Sequence, residues 1–301
     1  MTLMHGQMAL DWVTSAVTAA LEKGERVGPE PLTFLLSRYR ATGRADLQER
    51  LEEALSRALE DYTVEETTVG CAQWLTMFAG AVTLSGDDRL RAAGDHLVKT
   101  LQAEWGGEAS IEVSAPALDA CLRWSIECQP TLVPAVIDEL ERVVGAAYDP
   151  GGGLARSTSR FCPERGRLAD HVAFSKALLT AYDVTLRLPY SMLAEELMGS
   201  ANRAFWDEAA GRYRAAEADS TMPFLLNCSA ASVLYRLAAL HDTPGYRESA
   251  VVVPEAGYAN QADRLLDAEE PHYRQLGLQS AAYGLALEER LALHGRAHPP
   301  S

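Results

Sequence analysis

The chain has 301 residues, of which 48% are hydrophobic and 23% charged, enough apolar content for a large core and too much for a disordered chain. Its net charge is −15, from 42 acidic and 27 basic side chains. That balance argues against nucleic acid, which needs a cationic surface to release phosphate counterions, and against docking on an anionic bilayer.

From the amino terminus, Met1 to Trp12 lacks a basic region followed by an apolar run and a small-residue cleavage site, and no run of about 18 apolar residues follows. The expectation is a cytoplasmic protein. Five cysteines (Cys71, Cys121, Cys128, Cys162, Cys228) form no C-x-x-C pair, so zinc-ribbon and thioredoxin-type redox sites are excluded and reduced, packed thiols are expected.

Nearly every segment carries helical periodicity. Leu10, Val13, Val17 and Leu21 form one stripe; Leu32, Leu35, Leu36 and Tyr39 form the next, stopped at Gly43. Leu47, Leu51, Leu55 and Leu59 then repeat at i, i+4 with Glu, Gln and Arg between them. The pattern predicts about twelve helices, to within a few residues: 6–24, 30–42, 45–61, 66–84, 87–104, 115–127, 131–147, 167–186, 189–206, 223–240, 244–265 and 271–294. Strand signals are confined to Ile111-Glu-Val113 and Val251-Val-Val253.

Mostly apolar helices alternate with more charged ones, and the turns between them recur about every 43 to 58 residues, the period of stacked helical hairpins. Six hairpins close into a ring with apolar helices inside, or stack as an open solenoid. Closure is favoured because neither terminal unit has the polar outer face of a solenoid cap. The expectation is therefore all-α, an (α/α)6 toroid in one domain over 1–301. Its long connections, 148–167 and 207–222, gather near inner-helix N-termini, where a pocket would be built.

Three segments carry a family resemblance. They are Gly166-Arg-Leu-Ala-Asp-His-Val-Ala-Phe174, then Ala204-Phe-Trp-Asp-Glu208 with Gly211-Arg-Tyr213, and Asn227-Cys-Ser-Ala-Ala231. With Pro31 to Leu59 as a first hairpin, they resemble the helical C-terminal portion of the thioredoxin-domain-containing proteins of unknown function, which include the spermatogenesis-associated relatives. The resemblance implies the six-hairpin toroid shared with N-acylglucosamine 2-epimerase-like enzymes and several glycosidases. The chain departs from that family in lacking the thioredoxin domain. It also reads Val64-Glu-Glu-Thr-Thr-Val-Gly-Cys-Ala-Gln-Trp74 where a Pro-His-Phe-Glu-Lys-Met segment is expected.

Candidate site residues follow from residue chemistry and from this resemblance. Asp170 and His171 open an inner helix, where Asp170 either orients a hydroxyl or caps the helix, and His171 either exchanges protons or packs. Epimerases of the ring fold use paired histidines, which implies His171 with His272. Glycosidases need two carboxylates, for which Glu65, Glu66, Asp119 and Asp170 are available without a linking spacing rule. Trp74 and Trp124 either stack on a planar ligand or fill the core. Arg160, among Arg156, Arg165 and Arg167, either clamps an anion or is solvated, and Asn227 joins the substrate-binding set with Glu66, Trp74 and Trp124. The Gly151-Gly-Gly153 run lacks the Lys and Ser/Thr of a phosphate loop. No cofactor and no metal site is expected. The function classes that remain are a carbohydrate-type pocket protein, isomerase or hydrolase, and a non-catalytic helical scaffold with a protein partner.

Overall fold

The computed structural model describes residues 3–65, 67–159, 164–214, 221–249 and 257–297. Among the described residues, thirteen α-helices run in order: α1 (Leu3–Glu22), α2 (Pro29–Thr42), α3 (Ala45–Asp61), α4 (Thr68–Ser85), α5 (Asp88–Gln102), α6 (Ile111–Glu127), α7 (Val133–Ala147), α8 (Leu168–Thr185), α9 (Leu188–Phe205), α10 (Thr221–His241), α11 (Pro244–Ser249), α12 (Tyr258–Glu269) and α13 (Ala281–Ala297). Two antiparallel hairpins interrupt them, β1 (Tyr148–Asp149) with β2 (Gly153–Leu154) and β3 (Trp206–Asp207) with β4 (Arg212–Tyr213).

The chain forms two compact units, one of Gly43–Leu197 and one of Met1–Thr42 with Met198–Ser301. In the first, α6 lies between α4 and α8. The charged helices α3, α5 and α7 bury one stripe each, such as Leu47, Leu51 and Leu55 or Leu90, Leu97 and Leu101, and turn Glu, Gln and Arg outward. By contrast α4, α6 and α8 are covered almost all round and keep one open line apiece. On α6 that line is Glu112, Pro116 and Arg123; on α8 it is Ala169, Ala173 and Lys176; on α4 it is Val69, Gln73, Thr76 and Gly80. Each line steps by three, four or seven residues along one helix face.

In the second unit α10 packs on α12 and α13, and α13 also meets α1 and α2. Its core is aromatic. Tyr273 stacks on Tyr283 with ring centroids 4.9 Å apart, and Trp12 sets its edge against Tyr273 at 5.3 Å. A segment of α10, Pro223–His241, has the length and mean hydropathy of a membrane span, but more than half of it is buried within the protein.

The observed helices follow the predicted ones closely up to α10, with three differences. The helix predicted from 115 starts at Ile111, because Ser110 supplies the extended residue before it and the Ile111 N–H finds the Arg156 carbonyl at 2.9 Å; Ile111–Val113 is therefore no strand. The helix predicted at 271–294 begins as two 3-10 turns, Tyr273–Gln275 and Gly277–Ser280, because Gly277 (φ 53°) breaks the α geometry, and α13 starts only at Ala281. In place of the one helix predicted over 244–265 stand α11 and α12, the latter running on to Glu269. Val251–Val253 lies outside the described residues. The connections 148–167 and 207–222 open with hairpins whose two-residue strands are too short to show alternation.

Two positions test the packing. At Gly94 an added Cβ would lie 2.1 Å from the Trp124 ring, so Gly94→Ala is expected to cost about 1–3 kcal/mol by overpacking. Leu186 ends α8 at φ 57° and is 72% exposed, a left-handed site that glycine adopts freely. Leu186→Gly should raise stability by about 1 kcal/mol in urea denaturation.

Candidate functional site

The first turn of α8 is assembled from three chain segments. After β2, the Ala155 N–H bonds back to the Ala147 carbonyl at 2.7 Å, and the Gly166 N–H reaches the Leu154 carbonyl at 2.7 Å. The same loop ties to the start of α6 through Ile111 to Arg156 and through the Thr158 N–H to the Ala109 carbonyl at 3.0 Å. One connection thus fixes the first turns of two neighbouring helices. Gly166 is required for this closeness, since a Cβ there would stand 3.0 Å from the Leu154 carbonyl oxygen and 3.3 Å from the His171 ring.

Asp170 stands three residues after the extended Arg167, and its Oδ2 accepts the Arg167 N–H at 2.7 Å, the acid half of a capping box. The residue is 1% exposed. Burial raises its carboxyl above the usual range; the Arg167 N–H opposes this, Glu112 adds to it, and the Arg156 and Arg167 guanidiniums oppose it again. Glu112 lies exposed in the first turn of α6. A buried carboxyl and an exposed acidic side chain therefore stand at two adjacent helix starts.

Next to it His171 is buried, with Nδ1 2.8 Å from the Arg167 carbonyl oxygen. A carbonyl only accepts, so Nδ1 carries the hydrogen. Burial lowers the ring's affinity for a second proton, and the Arg167 carbonyl partly offsets this.

Two turns below Glu112 on the same line of α6, Asp119 is held from three sides. Its Oδ1 accepts the Thr180 hydroxyl at 2.6 Å, and its Oδ2 faces Arg123 Nε at 2.9 Å and Lys176 Nζ at 3.9 Å. Its charge is matched by fixed donors, so it anchors α6 to α8.

In the other unit Asn227, on α10, accepts the Tyr213 N–H at 3.1 Å and donates to Glu269 Oε1 at 3.0 Å. Glu269, the last residue of α12, is 1% exposed, and burial raises its carboxyl despite Arg212, His272 and Asn227. Arg212 Nη1 lies 3.5 Å from the same carboxylate oxygen. His272 is exposed just before the first 3-10 turn, not inside a helix start as predicted. His171 and His272 thus belong to different units.

The tryptophans are core residues. Trp124 is wholly buried over Gly94, with its indole N–H on Asp95 at 3.2 Å, and Trp74 is 4% exposed and stacked on Phe78 at 5.9 Å. Glu66, Arg160 and Phe161 lie outside the described residues. Glu112 and Glu269 were not among the sequence candidates. For Glu112 the signal was Ser110 followed by an acid at the second helical position; for Glu269 none stands out, since it reads as one of several surface acids before Pro271. Among the described residues no three His, Cys, Asp or Glu side chains gather where they could hold a metal ion.

No family model matches the chain, and no curated protein is similar to it in sequence. Solved structures are similar along nearly its whole length. The Lin0763 protein of Listeria innocua matches with a TM-score of 0.69 at 10% identity, over 96% of this chain and 99% of that one. The fold is the all-α, (α/α)6 toroid class. Similar too are the unsaturated glucuronyl hydrolase of Bacillus sp. GL1 (TM-score 0.70, 10% identity, 96% of each chain) and the GH76A α-1,6-mannanase of a Salegentibacter species (0.68, 12%, 94% and 99%). A variant of that mannanase with two aspartates replaced is inactive and has been seen with α-1,6-mannotetrose.

Because the His171 ring binds its second proton less readily folded than unfolded, its contribution to stability is complete above the ordinary value of 6.5 and falls as pH drops through the lowered folded value. Wild type should therefore lose more stability than His171→Gln between pH 7.5 and 5.5. Urea denaturation of both at the two pH values checks it.

Proposed function

We propose that the protein binds a carbohydrate along the open lines of α4, α6 and α8 and hydrolyses a glycosidic bond there. The observation that carries this is the pairing of Asp170 with Glu112 at two adjacent helix starts. Glycoside hydrolysis needs one carboxyl that keeps a proton to give the leaving oxygen and one carboxylate that stays ionised. Burial suits Asp170 to the first role, and Glu112 is the exposed acidic side chain at the adjacent helix start. Below them, the small side chains of Ala169 and Ala173 leave room beside α8, and Gln73, Thr76 and Arg123 offer hydroxyl partners. The glucuronyl hydrolase and mannanase with the same fold support the substrate class. Kinship with the helical portion of the thioredoxin-domain family belongs to the same proposal and rests on the Asp170, Trp206 and Asn227 segments.

One observation favours the second reading, a non-catalytic scaffold with a protein partner. Asp170, His171, Trp124 and Asn227 all spend polar atoms on neighbours within the chain. An isomerase working through His171 and His272 has less support, because His171 is buried with its Nδ1 on the Arg167 carbonyl oxygen.

The readings separate on one pair of variants. In the hydrolase reading, Asp170→Asn and Glu112→Gln each lower kcat/KM on manno- and glucurono-oligosaccharides by about 10²–10⁴-fold. The asparagine still accepts the Arg167 N–H, so its melting temperature should not fall. Full activity in both variants would remove these residues from the mechanism. Absence of wild-type turnover across the panel would favour the scaffold.

A further inference from the structure

We infer that Arg123 and Lys176 form a subsite for an anionic group, a carboxylate or a sulfate ester, so that the saccharide bound along α6 and α8 is an acidic one. Both side chains stand on the open lines of helices that belong to one unit. Both also run to Asp119, whose Oδ2 lies 2.9 Å from Arg123 Nε and 3.9 Å from Lys176 Nζ. Arg123 Nη2 donates in addition to the Thr180 hydroxyl at 3.2 Å. Two cations from two helices are thus gathered at one oxygen. In a chain of net charge −15, an anion binds where cations are brought together.

The support for this pair is built into the core. Asp119 is 4% exposed and Thr180 2%, and the Thr180 hydroxyl donates to Asp119 Oδ1 at 2.6 Å. A guanidinium held through Nε and Nη2 on buried partners has its plane fixed, so it loses little conformational freedom when it binds an anion. Burying a carboxylate is costly, and two apolar side chains join a pair of helices as well. The cost is accounted for once Asp119 serves to hold cations at the surface. Arg123 and Lys176 keep 33% and 46% of their side chains exposed, and the next residues up the two lines, Pro116 and Ala173, are short and apolar. Helical side chains lean toward the N-terminus, so both cations lean toward the ends that carry Glu112 and Asp170. Asp119 follows Glu112 by seven residues, about 10 Å along the helix. The anionic group therefore belongs to a neighbouring sugar and not to the one cleaved. Asp119 and Thr180 are positioning residues.

The inference rests on the carbohydrate reading for the polyol part of the ligand. Its test is an NMR titration of wild type, Lys176→Gln, Arg123→Gln and Lys99→Gln, following the backbone amides of α6 and α8. The probes are D-glucuronate against neutral D-glucuronamide, and D-glucose 6-sulfate against D-glucose. Wild type should prefer an anionic probe over its neutral partner by about tenfold or more, as a charge-assisted hydrogen bond implies. The larger of the two preferences names the anionic group. Lys176 is exposed, so Lys176→Gln should keep its melting temperature and lose most of the preference. Arg123→Gln should abolish it. Lys99 is exposed on α5, and Lys99→Gln, which removes the same charge elsewhere, should leave the preference unchanged. Equal wild-type affinities, a preference that survives Lys176→Gln, or an equal loss in Lys99→Gln would overturn the assignment. A Lys176-dependent preference in a protein that cleaves no oligosaccharide keeps the subsite and sinks hydrolysis; cleavage without preference does the reverse.

Discussion

Almost complete coverage of α4, α6 and α8 is the constraint on which the rest of the first unit depends. A helix packed against neighbours on nearly every side has little outward face. Its polar residues either stand on the open line, as Glu112 and Arg123 do on α6 and Lys176 does on α8, or are buried with partners, as Asp119, Asp170, His171 and Thr180 are. The Thr180 hydroxyl of α8 joins the two helices, donating to Asp119 and accepting from Arg123.

The same economy explains the start of α8. The connection from α7 must turn back, and the β1–β2 hairpin with Gly166 lets it pass close over His171. Asp170, in the same turn, is buried, and burial raises its carboxyl while its Oδ2 caps the helix on the Arg167 N–H. The corresponding hairpin before α10, β3–β4, instead places Tyr213 against Asn227 and Arg212 against Glu269. Two connections of similar construction thus reach different targets, the first turn of α8 in one case and Asn227 with the end of α12 in the other.

Much of the fold was legible in the sequence, because stripes such as Leu47–Leu51–Leu55 record burial directly. The alternation of apolar and charged helices likewise recorded which would be covered. Less legible were features set by contacts distant in sequence. Glu112 reads as part of a strand-like triplet until Arg156, far along the chain, supplies the bond that starts the helix at Ile111. Glu269 looks like any acid near a helix end until Asn227 and Arg212 are brought to it. Trp124 has the composition of a stacking platform, and only Gly94 and Asp95 on a neighbouring helix make it core. Periodicity reports which face of a helix is covered, but not what covers it.

The proposed hydrolysis turns on Asp170 as a carboxyl whose affinity for a proton burial raises. Its titration can be followed directly by carboxyl carbon NMR, with the Asp170→Asn spectrum as the assignment. The account predicts a midpoint clearly above 3.8, moving down when Glu112 is replaced by glutamine. A midpoint at or below 3.8 would mean that the Arg167 N–H and the nearby arginines outweigh burial. Asp170 would then be a helix cap and no acid.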